Sequence, residues 1–270
     1  STLSISVEDD APAVIPAQVA NLAMIDTNLE IVLDISGSMT STDGVNGQTR
    51  LQSAVDSIKT LLDRYDEFGD VHVKLVTFSS GADSRGTGWV TVAQAKTLLD
   101  AQVAGGGTNY DEALGDAITA FSETGKLANA QNVAYFFTDG LPTFGAGSGT
   151  TLTGTRNGNG YDQSGSDTGI QASEETTWIN FLRANQVKAF AVAFGAGVTD
   201  TGYIDPIAYD GQTMTNTGGT LVSSFDQLDN MLAGTVQDPV GGQLVSGGLL
   251  NAGGLVGADG GFIKSVTIEG

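Results

Sequence analysis

Two carboxylates and three hydroxyls stand where a single fold could bring them together. They are Asp34, Ser36 and Ser38 in the run Asp34-Ile35-Ser36-Gly37-Ser38, Thr108 behind Gly105-Gly106-Gly107, and Asp139 at the end of an apolar run. All five present oxygen, the donor that hard divalent cations such as Mg²⁺ and Ca²⁺ take. Only two of the five carry charge. A cation held mainly by hydroxyls and water stays electron-poor and accepts one more anionic ligand from another molecule. Taken singly, each residue is an ordinary turn or capping residue. Thr108 could cap a helix with Asp111 as partner, although Asn109 with Glu112 could do that instead. Three separate loops that each deliver oxygen are what point to a metal site.

Such a set works only if strands and helices carry it to one place. Residues 29–33 (Leu-Glu-Ile-Val-Leu) read as a short strand ending at Asp34. Leu51, Ala54, Val55, Ile58, Leu61, Leu62 and Tyr65 fall on one face of a helix over about 50–66, with Thr49 and Gln52 as its capping box. Residues 71–78 alternate as a strand, 87–92 suit a short edge strand, and a small helix over about 92–101 opens at Thr91 with Gln94. A helix over about 109–122 buries Tyr110, Ala113, Leu114, Ala117, Ile118 and Phe121, and 132–138 form a buried strand that stops at Asp139-Gly140. A helix near 173–185, a strand at 187–194, a strand near 219–223 and a helix at 225–234 follow. Apolar strands alternating with amphipathic helices predict an α/β sheet covered on both faces. In open parallel sheets, ligands sit beyond the carboxyl ends of strands where the strand order reverses. Asp34 and Asp139 both end strands, so neighbouring strands would put both carboxylates in one crevice.

The chain has 270 residues, room for one large domain with flanking material. Its net charge is −20, from 31 acidic against 11 basic residues. That sign argues against nucleic acid or an anionic membrane surface as a partner. It suits carboxylates partly neutralised by bound cations. There is no cysteine, hence no disulfide frame, thiolate nucleophile or cysteine–zinc cluster. No run approaches the roughly 20 apolar residues of a membrane span, and the start, Ser1-Thr2-Leu3-Ser4, lacks the features of a signal peptide. Three regions are expected: an N-terminal β flank over 1–27, the α/β domain over 28–235 with a glycine-rich insert at 141–169, and a glycine-rich C-terminal β flank over 236–270. The flanks alternate at Leu3, Ile5 and Val7, and at Phe262, Lys264, Val266 and Ile268. They read as edges of neighbouring β modules, or as two strands of one module into which the α/β domain is inserted, in a piece of a longer chain.

Asp34-x-Ser36-x-Ser38, Thr108 after a glycine run, and Thr138-Asp139-Gly140 after a buried strand resemble the metal-ion-dependent adhesion site of the von Willebrand factor A domain. The resemblance covers about residues 28–235. It implies a Rossmann-like, doubly wound, mostly parallel six-stranded sheet with one antiparallel edge strand, a place that 87–92 suits. It also implies that Ser36, Ser38 and Thr108 bind Mg²⁺ or Ca²⁺ directly, that Asp34 and Asp139 act largely through water, and that a ligand carboxylate completes an octahedron. Ser6-Val7-Glu8-Asp9-Asp10-Ala11-Pro12 and Gly257-Ala258-Asp259-Gly260-Gly261-Phe262 look like module borders in very large RTX-type biofilm adhesins of Gram-negative bacteria. Gly158-Asn159-Gly160-Tyr161-Asp162 is similar to one of their calcium repeats. This narrower resemblance implies type I secretion, an extracellular home at the bacterial cell surface, and neighbouring β modules in the same chain. Asp162 and Asp167 in the insert, with Asp9 and Asp10 at a module border, are further calcium candidates that equally suit an exposed loop and an acidic linker.

Catalysis finds little support. A serine hydrolase needs a base beside its nucleophile, and the only histidine, His72, alternates with Val71 and Val73 inside a strand. Gly195-Ala196-Gly197 follows a strand, but Asp200 occupies the third glycine position of a dinucleotide-binding fingerprint. The expectation is a monomeric, non-enzymatic module. It would bind an acidic group of a protein or glycan partner through Mg²⁺ or Ca²⁺, with no nucleic acid and no membrane insertion. A calcium-stabilised spacer is the alternative, and an accessory domain of the metal-chelatase kind a third reading.

Overall fold

A computed structural model describes residues 24–143, 169–195 and 198–236. In chain order the elements are β1 (Thr27–Asp34), α1 (Arg50–Asp66), β2 (Val71–Phe78), β3 (Ala82–Thr91), α2 (Val92–Asp100), α3 (Tyr110–Phe121) and β4 (Gln131–Thr138). They continue with α4 (Ala172–Ala184), β5 (Val187–Phe194), the two-residue strands β6 (Tyr209–Asp210) and β7 (Thr215–Asn216), β8 (Thr220–Val222) and α5 (Phe225–Thr235). The α/β unit runs from Ile25 to Gln237. Among the described residues, no helix is long and apolar enough to cross a membrane.

The strands form one twisted, mostly parallel sheet in the order β3-β2-β1-β4-β5. β8 continues it, parallel to the carboxyl end of β5, while β6 and β7 pair antiparallel at the start of β5. β3 is the antiparallel edge beside β2. After β1 the chain crosses to β2 on one side, and β4 later pairs with β1 on the other. The reversal of strand order therefore lies between β1 and β4, where a crevice is expected. Register puts Asp34 beside Phe78 and Leu33 beside Phe137, so Asp34 and Thr138-Asp139 finish at the same edge.

Side-chain alternation along the strands divides the core into two layers. Leu29, Ile31 and Leu33 pack with Ile58, Leu62, Leu99, Leu228 and Leu232, under α1, α2 and α5. Val32, Val76 and Phe78 face the other way, against Tyr110, Leu114, Trp178 and Leu182 on α3 and α4. Thr49 and Gln52 form the expected capping box on α1, as Thr91 and Gln94 do on α2. At α3 the open choice resolves to Asn109, whose side chain accepts from the Glu112 amide.

Two features differ from the sequence reading. The edge strand is longer than 87–92, because an outermost strand can hold polar residues and glycines that hide its periodicity. β6 and β7 add two strands to the expected six, each too short to leave a periodic signal.

Candidate metal centre

The site is built from loops at the carboxyl ends of β1 and β4 and the loop that enters α3. Asp34 is the last residue of β1. Its Oδ1 accepts from the Ser36 amide at 2.7 Å and its Oδ2 from the Thr138 hydroxyl at 2.7 Å. Both oxygens are thereby aimed, one by the loop after β1 and one by the end of β4. Ser36 Oγ lies 3.0 Å from Ser38 Oγ, and Ser38 Oγ donates to Asp139 Oδ1 at 2.6 Å. One hydrogen-bonded relay thus joins Asp34, Ser36, Ser38 and Asp139.

Thr108 comes to the same place through its glycine run. The Gly37 amide donates to Gly106 O at 2.9 Å and the Gly105 amide to Ile35 O at 2.7 Å, which stitches the two loops together. Gly107 N bonds Ser80 Oγ at 2.8 Å, and Asn109 N bonds Ser79 O at 2.8 Å. Gly106 holds φ +90°, a conformation that L side chains rarely adopt. A β-carbon on Gly140 would lie 3.5 Å from Ser38 Oγ and 3.8 Å from Thr108 Oγ1, so both hydroxyls stand over the same point. All five residues singled out in the sequence converge. Because Asn109 does the capping, Thr108 is released from that task.

Burial is graded across the set. Asp34 and Asp139 are fully buried and form a floor, Ser36 and Thr108 are nearly so, and Ser38 is exposed at the mouth. Two carboxylates in one buried pocket repel each other and lose their hydration. Burial pushes the Asp34 carboxyl up to about 7; the Thr138 hydrogen bond opposes this, the Asp139 charge adds to it, and Ser36 opposes it further. Tyr110 closes the pocket from below, its hydroxyl donating to Gly140 O at 2.7 Å, and burial pushes its phenol well up. Among the described residues, no three His, Cys, Asp or Glu side chains converge as a metal group, so hydroxyls must complete any ligand set. The residues present fit a hard divalent cation: a carboxylate floor that needs positive charge, and an oxygen-only rim open to solvent.

Two participants, Arg50 and Asp43, and the role of Thr138 toward Asp34 escaped the sequence reading. Arg50 donates from Nη1 to Asp139 Oδ2 at 2.8 Å and grips Asp43 through Nε and Nη2, each at 2.7 Å. Thr138 serves as the donor that orients Asp34. Arg50 did leave a signal, since a cation as the first residue of a helix opposes the helix dipole and needs a compensating partner. His72 sits at the far end of β2 from this site, with Nδ1 against Gly125 O. Asp9, Asp10, Asp162 and Asp167, the β flanks and most of the 141–169 insert lie outside the described residues.

Comparison with known proteins bears on the same region. Residues 29–141 match the family model of the von Willebrand factor type A domain. Human inter-alpha-trypsin inhibitor heavy chain H2 is 29% identical over 134 residues, which is 46% of this chain and 13% of that protein. A von Willebrand factor type A structure from Catenulispora acidiphila superposes with TM-score 0.52 at 18% identity, over 78% of this chain and 42% of the other. The PilB minor pilin from Streptococcus sanguinis gives 0.53 at 16% identity, over 82% and 61%. The pilus adhesin SpaC from Lactobacillus rhamnosus GG gives 0.52 at 18%, over 80% and 30%. The chain spans less than two thirds of each of these proteins. The unit from Ile25 to Gln237 therefore has the α/β fold of the von Willebrand factor A domain, with residues 29–141 matching that family's own model.

Proposed function

We propose that the α/β unit is a non-catalytic, metal-dependent adhesion module that captures an acidic group of a protein or glycan partner. The observation that carries this reading is the convergence of Asp34, Ser36, Ser38, Thr108 and Asp139 on one solvent-facing point with only two carboxylates among them. Von Willebrand factor A domains are often metal-dependent adhesion or interaction modules, and one structure of like fold is a pilus adhesin. When bound, Mg²⁺ or Ca²⁺ would supply an electron-poor centre for the partner's acidic oxygen. Ser36, Ser38 and Thr108 would hold the ion directly. Asp34 and Asp139, already fixed by Thr138, Ser36 and Ser38, would balance its charge from the floor. We place the module on the bacterial cell surface, within a longer secreted chain of the RTX-adhesin kind, working as a monomer between neighbouring β modules. Further calcium at Asp9, Asp10, Asp162 or Asp167 belongs to the same proposal.

Calorimetric titration of the metal-stripped protein with Mg²⁺ and with Ca²⁺ tests it. One site should weaken at least about tenfold in Asp34→Ala, while the circular dichroism spectrum stays unchanged. Unchanged titration in a folded Asp34→Ala variant would sink the reading and favour a spacer whose ions bind elsewhere.

A further inference from the structure

Arg50 has no counterpart among the five oxygen donors, and its setting is more elaborate than a surface ion pair requires. Its side chain is 10% exposed. Asp139, bonded to Nη1, is fully buried, whereas Asp43, bonded to Nε and Nη2, is about half exposed. The underside of the guanidinium is closed by the backbone at the end of β5. A β-carbon on Gly195 would lie 3.1 Å from Arg50 Cζ and 3.2 Å from Nε, and Gly195 holds φ +82°, so glycine alone lets the guanidinium lie this close. The helix dipole at the start of α1 disfavours a cation here, so the slot holds Arg50 against a local cost.

This inference rests on the metal-dependent reading above and concerns how that site selects charge. We infer that Arg50 is a fixed cation of the centre, which determines how strongly the metal-loaded site attracts an anionic group. Two carboxylates offset much of the charge of a divalent ion, which weakens its pull on an acid. The guanidinium on Asp139 Oδ2 offsets one of them, so the loaded centre keeps a positive charge to spare. Asp43 offsets part of the Arg50 charge through its two bonds to Nε and Nη2, but its half-exposed carboxylate is itself hydrated, so the offset at the buried Asp139 side is incomplete. The same positive charge works against the incoming ion. Arg50 therefore loosens metal binding while it strengthens acid binding. A mere strut for Asp139 would support both together.

That opposition in sign is measurable on the full chain with Mn²⁺ as the ion and fluoroacetate as the carboxylate probe. Mn²⁺ affinity is read by calorimetry, and fluoroacetate binding by paramagnetic broadening of its ¹⁹F resonance. Arg50→Gln should bind Mn²⁺ several-fold more tightly and fluoroacetate about tenfold more weakly, the size expected for one charge near a partly buried ion. Arg50→Lys, which keeps the charge, should hold both affinities within about threefold of the native values. Asp43→Asn should tighten fluoroacetate about twofold. Loss of both affinities in Arg50→Gln, shared by Arg50→Lys, would overturn the inference in favour of a strut. Unchanged fluoroacetate binding in Arg50→Gln, with Mn²⁺ retained, would overturn it as well. Native protein that takes up no Mn²⁺ would overturn the metal-dependent reading itself, an outcome distinct from the other two.

Discussion

At the scale of single residues, two fully buried acids show how differently burial can be used. Asp34 receives hydrogen bonds on both oxygens and lies one hydroxyl relay from the exposed Ser38. Glu30, four residues earlier on the same strand, has neither oxygen hydrogen-bonded. Its neighbour in register is Lys74, also fully buried, whose Nζ donates to Glu123 Oε2 at 2.7 Å. Burial raises the Glu30 carboxyl well above its ordinary value, against the opposing pull of Lys74. The folded state thus holds that proton more tightly than the unfolded chain does. Stability from this group is complete below the unfolded value of 4.5 and is lost as pH rises through the higher folded value. Urea unfolding of metal-free protein should show stability declining above pH 4.5, by at most about 1.4 kcal/mol per pH unit from one proton. Glu30→Met should flatten that decline. An identical slope in the variant would mean that Glu30 is ionised inside the fold, paired with Lys74.

At the scale of elements, the loop entering α3 decides whether three hydroxyls become one site. Gly106 accepts from Gly37, and a β-carbon on it would meet Ser80 Oγ at 3.0 Å and Ser79 Oγ at 3.2 Å. Gly106→Ala should cost about 1–2 kcal/mol by chemical denaturation, from a non-glycine residue held at positive φ. It should also weaken Mg²⁺ about tenfold by shifting Thr108. A metal affinity within twofold of native, despite the stability loss, would show that this loop does not position Thr108. The same elements explain what the sequence disclosed. β1, β4 and β5 are mostly apolar runs, β2 alternates, and α1 and α3 carry a clear helical face with capping residues, so their place and the five donors at their ends were legible. The pairing of Arg50 with Asp43 and Asp139 was not, because Asp139 lies 89 positions away and no periodicity encodes the direction of the Arg50 side chain. β6 and β7 stayed hidden because two residues carry no period.

At the scale of the molecule, the two core layers and the candidate metal centre formed by the described residues lie within Ile25–Gln237. A fragment of residues 25–237 should therefore unfold in one cooperative urea transition and bind Mg²⁺ within about twofold of the full chain. A broad, non-cooperative transition would show that the flanks complete the core. The net charge of −20 has its own consequence for the proposed function, since the bulk field would repel the acidic partner that a metal-loaded centre would attract. Specific capture would then rest on contact at the site rather than on steering from a distance.

The most direct test of the metal centre is anomalous scattering from crystals soaked in Mn²⁺. The expected result is a peak within about 2.0–2.6 Å of the Ser36, Ser38 and Thr108 hydroxyl oxygens, with Asp34 and Asp139 behind it. Peaks found only elsewhere, with those hydroxyls still bonded to one another and to Asp139, would contradict a metal-dependent site at the end of β1 and β4.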